Sequence, residues 1–291
     1  MRFPLLLVVS AAFGQDYRTV ENIQYCTGGG KPLLMDVFVP DIPVRKPTPA
    51  VLWLHGGGWE RGDKNGSSGA LLLAGAGFVT ASIYYRLSGD AKFPAQIEDA
   101  KCAIRYLRSH AADYGIDPES IGIAGTSSGG HLALLVGAAG LAAGFEGSGG
   151  WAGTSSRVRA VSSYYGPTDF STFMTEYGER GRNAIRKLVG VLPENTEAYK
   201  RASPISYVTR NMPPVLMFHG DSDQLVPHTQ SERMLAALQR AGVDARLITV
   251  GNADHDFALF VKDKPLSISE AEIHGTTIAF FRKWLLPAAT K

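Results

Sequence analysis

The stretch IAGTSSGGHLALL, residues 123–135, decides the fold. It opens on the end of an apolar strand, SIGIAG, and runs into an apolar helix, with small and hydroxylic residues at the junction. Gly125-Thr126-Ser127-Ser128-Gly129 fits G-x-S-x-G, and strand–turn–helix is the setting a nucleophile elbow requires. The elbow strains the backbone at its serine, and glycines two residues away on either side relieve the crowding. The helix that follows aims its free N–H groups and positive end at the same point. A tight turn without chemistry is the bland alternative, and the flanking strand and helix weigh against it. Thr126 and Ser128 are rival hydroxyls. In an elbow, however, the middle residue projects and the next one supplies a backbone N–H, so Ser127 is the candidate nucleophile.

Further apolar strands alternate with helices on both sides of this point. PTPAVLWL and GFVTASIYY precede it; VRAVSSYYG, PPVLMFHG and ARLITV follow it. Helices are predicted over about 94–112, from His131 onward, over 228–241 and over 269–286. Such alternation indicates an α/β fold with a mostly parallel central sheet and helices on both faces. IQYC and LLMDVFVP read as two earlier strands joined at Gly28-Gly29-Gly30. Residues 171–207 are too long for a plain crossover and are expected to form a small cap insertion over the active face. A hydrophobic content of 45% in 291 residues is enough to bury one large core, so residues 15–291 are expected to form one catalytic domain.

The first residues carry Arg2, an apolar run and then small residues, the layout of a secretory signal peptide over residues 1–14. A secreted or periplasmic location is therefore expected, with no stable membrane anchor, because the run is too short to span a bilayer. A net charge of +2 with scattered basic residues gives no footprint for nucleic acid. Cys26 and Cys102 lie in no metal-ligand pattern, and they are expected as two free, buried thiols.

His55-Gly56-Gly57-Gly58-Trp59 follows an apolar strand, where an oxyanion loop belongs. Gly57, Gly58 and the Ser128 N–H are the expected donors, with His55 bracing the loop. Asp63 and Lys64 are expected to brace it too, as an exposed charge pair. A glycine-rich loop can instead cradle phosphate, but neither phosphate-binding fingerprint is present.

The serine needs a base, and the base an orienting acid. Of seven histidines, His255 lies just beyond ARLITV at the catalytic edge of the sheet and is the best base. PPVLMFHGDSDQLVP offers Asp221 and Asp223, of which Asp223 is better placed in the loop. Asp254 and Asp256 flank His255 and read as solvated or structural. Trp59 and Tyr165 are expected to bind substrate, alongside a wider set of tyrosines. Adjacent tyrosines on a strand point to opposite faces, so about half of them can reach a site.

The elbow, HGGGW with Glu60-Arg61-Gly62-Asp63-Lys64, YYGPTDF, HGDSDQLVP and the histidine loop together resemble the α/β-hydrolase superfamily. More narrowly, they are similar to its secreted bacterial esterase/lipase branch, which includes feruloyl esterases and carbohydrate acetyl esterases. The resemblance covers about residues 17–286. It implies an α/β-hydrolase fold and a Ser127–His255–Asp223 triad that hydrolyses carboxylic esters, without metal or cofactor. The ester would be a small molecule or linked to polysaccharide. Asp256 departs from the glycine that many relatives carry after the histidine. Two alternatives use other chemistry: an amidase or peptidase with the same triad, and a non-catalytic binding relative.

Overall fold

The computed structural model describes residues 17–65, 68–190 and 196–286; the predicted leader, residues 1–14, lies outside them. The described strands are β1 (Tyr17–Gly28), β2 (Lys31–Pro40), β3 (Thr48–Leu54), β4 (Val79–Ile83), β5 (Ile116–Thr126), β6 (Val161–Tyr164), β7 (Val215–Gly220) and β8 (Ala245–Val250). They form one sheet in the order β1-β2-β4-β3-β5-β6-β7-β8. β1 and β2 form an antiparallel hairpin, β2 pairs antiparallel with β4, and every later pairing is parallel.

The described helices are α1 (Ser68–Gly75), α2 (Ala95–Ser109), α3 (Ala111–Tyr114), α4 (Ser128–Ala138), α5 (Phe173–Glu176), α6 (Glu179–Val189), α7 (Thr196–Arg201), α8 (Thr229–Arg240) and α9 (Glu270–Leu285). Pleating divides the sheet's side chains between two cores. Ala50, Leu52 and Leu54 of β3 join the core beneath α2, α4 and α8, whereas Val51 and Trp53 join the one beneath α1 and α9. Because β3 and β5 to β8 are parallel, their C-terminal ends share one edge, and the loops that leave it converge.

Cys26 and Cys102 form a disulfide, which corrects the expectation of two free thiols. Once α2 packs across β1, their Cα atoms stand 6.3 Å apart despite a separation of 76 residues, within bonding reach. Nothing local in the sequence carries that proximity.

The expected cap segment contains α5, α6 and α7, apart from residues 191–195, which are not described. α6 lies against the glycine loop. Lys187 reaches Glu60 Oε2 at 2.7 Å, and a Cβ on Gly58 would stand 3.6 Å from that of Ala184.

Candidate active site

Ser127 sits between β5 and α4 with φ 52° and ψ −118°, a conformation that costs a non-glycine residue about 1–3 kcal/mol. The surroundings hold it there. Its N–H donates to the Tyr164 carbonyl at 2.8 Å, and its own carbonyl accepts the first bond of α4, from His131, at 2.9 Å. A Cβ on Gly125 would meet the Gly129 backbone, and one on Gly129 would meet the Leu54 carbonyl. Both flanking glycines are therefore demanded by close approach of backbone to backbone.

The structure brings Ser127, His255 and Asp223 together. Ser127 Oγ lies 3.0 Å from His255 Nε2, and His255 Nδ1 lies 2.8 Å from Asp223 Oδ2. Asp223 is buried, and its Oδ1 accepts the N–H groups of Leu225 and Val226 at 2.9 and 2.8 Å. Burial by itself would raise its pKa. The close His219 ring and the hydrogen bond from His255 outweigh that and hold the carboxyl well below the usual carboxylate range. Asp223 therefore stays ionised and keeps the His255 proton on Nδ1, leaving Nε2 to accept from Ser127. Asp221 instead accepts from the neighbouring Ser222 hydroxyl.

The glycine loop lies against the elbow, so that a Cβ on Gly56 would stand 3.4 Å from that of Ser127. Gly57 and Gly58 take φ values of 118° and 65°. Among the described residues, the backbone N–H groups of Gly57, Gly58 and Ser128 donate to no protein acceptor. His55 holds this loop through its ring, which stacks on Tyr85 at 4.2 Å with Nδ1 2.7 Å from the Gly56 carbonyl; Tyr85 Oη donates to the His55 carbonyl. Burial lowers the His55 pKa, as suits a neutral brace.

Trp59 does not face a cleft as expected. It is 3% exposed, and its indole N–H donates to His131 Nδ1 at 3.2 Å. His131 in turn bonds the Ala202 carbonyl at 2.7 Å, so this pair ties the glycine loop to the chain after α7. Lys64 is likewise buried and pairs with Asp36 of β2 at 2.9 Å, whereas Asp63 caps the Lys64 backbone N–H at 2.6 Å. An exposed Asp63–Lys64 pair is thus replaced by a buried pair between β2 and the segment after the glycine loop.

Tyr165 stands beside the Ser127–His255–Asp223 hydrogen-bond chain, its ring centroid 4.7 Å from that of His255. Its φ of 42° breaks the strand alternation, which lets both Tyr164 and Tyr165 border one cavity of about 290 Å³. Thr126, Trp53, Asp256 and Phe257 are also in its wall. A larger hollow of about 920 Å³ opens at the far end of α4, around Gly137, Leu141 and Arg159. Ser127 is at the N-terminal end of α4, so that hollow is remote from the serine.

Two residues here carry contacts that the sequence did not suggest. Asp254 Oδ1 accepts the N–H groups of His255 and Gln224, at 2.7 and 2.8 Å, and so joins the base loop to the acid loop. His219 reaches Asp223 from below, at 3.2 Å. Among the described residues, no cluster of three or more His, Cys, Asp or Glu could hold a metal ion.

Residues 35–238 match the BD-FAE family, well over half of the chain. The chain belongs to that family. Esterase LipQ of Mycobacterium tuberculosis is 32% identical to this BD-FAE chain over 261 residues, covering 84% of this chain and 58% of LipQ. With two further mycobacterial relatives covered to 47% and 61%, the chain spans about half to three fifths of the length of these curated relatives. Among solved structures, a truncated carbohydrate esterase from gut microbiota is 30% identical, with a TM-score of 0.77 over 92% of this chain and 97% of that one. Esterase 2 of Thermogutta terrifontis with bound propionate is 25% identical, with a TM-score of 0.74 over 90% of this chain and 93% of that one. The BD-FAE chain thus has the α/β-hydrolase fold, as its sheet order and these neighbours agree.

Proposed function

We propose that this BD-FAE chain is a serine carboxylesterase, and the observation that carries the proposal is the unbroken Ser127–His255–Asp223 hydrogen-bond chain. His255 Nε2 takes the Ser127 proton as Oγ attacks the ester carbonyl carbon. The carbonyl oxygen becomes an oxyanion held by the N–H groups of Gly57, Gly58 and Ser128, each worth about 2.7–4 kcal/mol in comparable sites. Asp223 stabilises the imidazolium. His255 then gives its proton to the departing alcohol, and water repeats the sequence on the acyl-enzyme.

Acyl or alcohol groups of modest size, including acetyl or feruloyl esters on plant polysaccharide, are the proposed substrates. The aromatic-walled cavity of about 290 Å³ and the likeness to a carbohydrate esterase support them. Tyr165 and Phe257, with ring centroids 5.0 Å apart, are the proposed contacts. Residues 171–207 are proposed as a cap, on the strength of the contacts of α6 with the glycine loop. Export to the periplasm or beyond is proposed from the apolar leader together with the disulfide.

The test pairs labelling with turnover. A fluorophosphonate should label the wild type and leave Ser127→Ala unlabelled, and equal labelling rejects the nucleophile. A panel of p-nitrophenyl acyl esters, methyl ferulate, acetylated xylan and a matched anilide, scored by kcat/KM, then ranks the substrates. Faster cleavage of the anilide than of its ester would reject the esterase assignment.

A further inference from the structure

Asp223 Oδ2 has two imidazole neighbours, not one. His255 Nδ1 is 2.8 Å away and His219 Nε2 is 3.2 Å away. His219 is the penultimate residue of β7, and its ring is fully buried. Its Nε2 is also 2.9 Å from the Val226 carbonyl, and its Nδ1 is 2.7 Å from Ser231 Oγ on α8. A carbonyl oxygen can only accept, so Nε2 carries a proton, and Nδ1 of the neutral ring accepts from the Ser231 hydroxyl.

In that tautomer the Nε2–H donates to the Val226 carbonyl, and Asp223 Oδ2 stands 3.2 Å from the same nitrogen. The Asp223 carboxylate then receives three donors, Leu225 and Val226 N–H at Oδ1 and His255 N–H at Oδ2, with His219 Nε2 in contact with Oδ2 as well. A carboxylate has about four lone-pair directions, so three hydrogen bonds and the His219 contact leave it little freedom to turn. Without the His219 contact, Oδ2 would be held by the His255 ring alone and free to follow its motion.

We propose that His219 is a positioning residue that fixes Asp223 Oδ2 so that the carboxylate meets His255 Nδ1 in line. It exchanges no proton during the reaction. The role rests on the triad proposed above and adds to it a second histidine-to-carboxylate geometry requirement, set from inside the sheet. Because β7 carries His219 while the acid loop and α8 supply the partners of its ring, the requirement couples the triad to the packing of α8.

The full-length chain carrying His219→Gln or His219→Asn tests this. Glutamine can bring its amide nitrogen near the place of the lost Nε2, whereas asparagine reaches only the δ position; both side chains are neutral and polar. Three measurements apply: kcat and KM on p-nitrophenyl acetate, the far-downfield proton resonance of His255 Nδ1–H, and thermal melting. Gln should retain kcat within about threefold, whereas Asn should lose about 30-fold with KM unchanged, short of the ~100-fold that a 1 Å misplacement can bring. The downfield resonance should persist in Gln and shift or broaden in Asn. Equal kcat in the two variants, or a loss confined to KM, overturns the role. If the wild type turns over no ester, the esterase proposal fails, and the resonance alone decides the positioning: unchanged in Asn, it is refuted; changed in Asn and kept in Gln, it stands.

Discussion

Gly129 sits where a methyl group has no room, because a Cβ there would run into the carbonyl oxygens of Leu54 and His55. Both obstacles are backbone, so neither can swing aside, and Gly129→Ala must displace α4 or the glycine loop. Overpacking of this kind costs about 1–3 kcal/mol. A shift of 1 Å at Ser127 costs about 100-fold in rate, so kcat on p-nitrophenyl acetate should fall by that order even where the variant melts normally. Wild-type kcat in Gly129→Ala would contradict the close approach. His131 makes a second prediction at this scale. Burial, opposed by its bond to the Ala202 carbonyl, brings its pKa down to about 4. The folded state keeps the ring neutral, so below its ordinary value of about 6.5 the unfolded chain binds a proton that the folded chain refuses. The stability involved is whole above that value and drains as pH falls toward 4, by about 2 kcal/mol at pH 5. Urea unfolding at pH 7.5 and pH 5 should show this extra loss in the wild type and not in His131→Gln; parallel losses in both would refute it. At this scale the three residues of the hydrogen-bond chain were legible, because each follows an apolar strand whose C-terminal end is visible in the sequence. Trp59 was not, since its burial depends on His131, 72 positions away.

At the scale of elements, β2 and the segment after the glycine loop are joined through a buried charge pair. Asp36 Oδ2 meets Lys64 Nζ at 2.9 Å, both side chains are 7% exposed, and Asp36 Oδ1 also accepts the Asn22 N–H from β1 at 2.8 Å. Removing one partner of a buried pair leaves an uncompensated charge, at a cost of about 3–5 kcal/mol. Asp36→Ala should therefore lower stability by that order in urea unfolding. The exposed pair of Lys187 with Glu60 should contribute under ~1 kcal/mol by the same measurement. A cost below 1 kcal/mol for Asp36→Ala would show that Lys64 re-solvates easily. Parallel strands such as Val215–Gly220 were legible because burial on both faces demands an unbroken apolar run. α1 was not read from the sequence, because SGALLLAG is short and apolar without a helical period. β1 was read only at IQYC, yet it pairs with β2 from Tyr17 onward, through two register shifts that no alternation pattern could reveal.

At the scale of the whole molecule, the Cys26–Cys102 bond ties β1, one of the sheet's two edge strands, to α2. The pairing was illegible because it depends on how a helix crosses a hairpin, not on any spacing between cysteines. β1 pairs with a single neighbouring strand, β2, so its detachment leaves the other seven strands paired. A cross-link that closes 76 residues removes about 4 kcal/mol of unfolded-chain entropy in the simplest treatment. The Cys26→Ser/Cys102→Ser variant should then melt about 5–10 °C below the oxidised wild type. It should also exchange the amide hydrogens of β1 faster than those of β5. Ser127, Asp223 and His255 follow β5, β7 and β8, far from β1 in the sheet order, so kcat at 25 °C should be nearly unchanged in the same variant. A large fall in kcat without a fall in melting temperature would mean that the bond acts on the catalytic edge instead. Equal melting of oxidised wild type and double variant would mean that α2 already holds β1 without it.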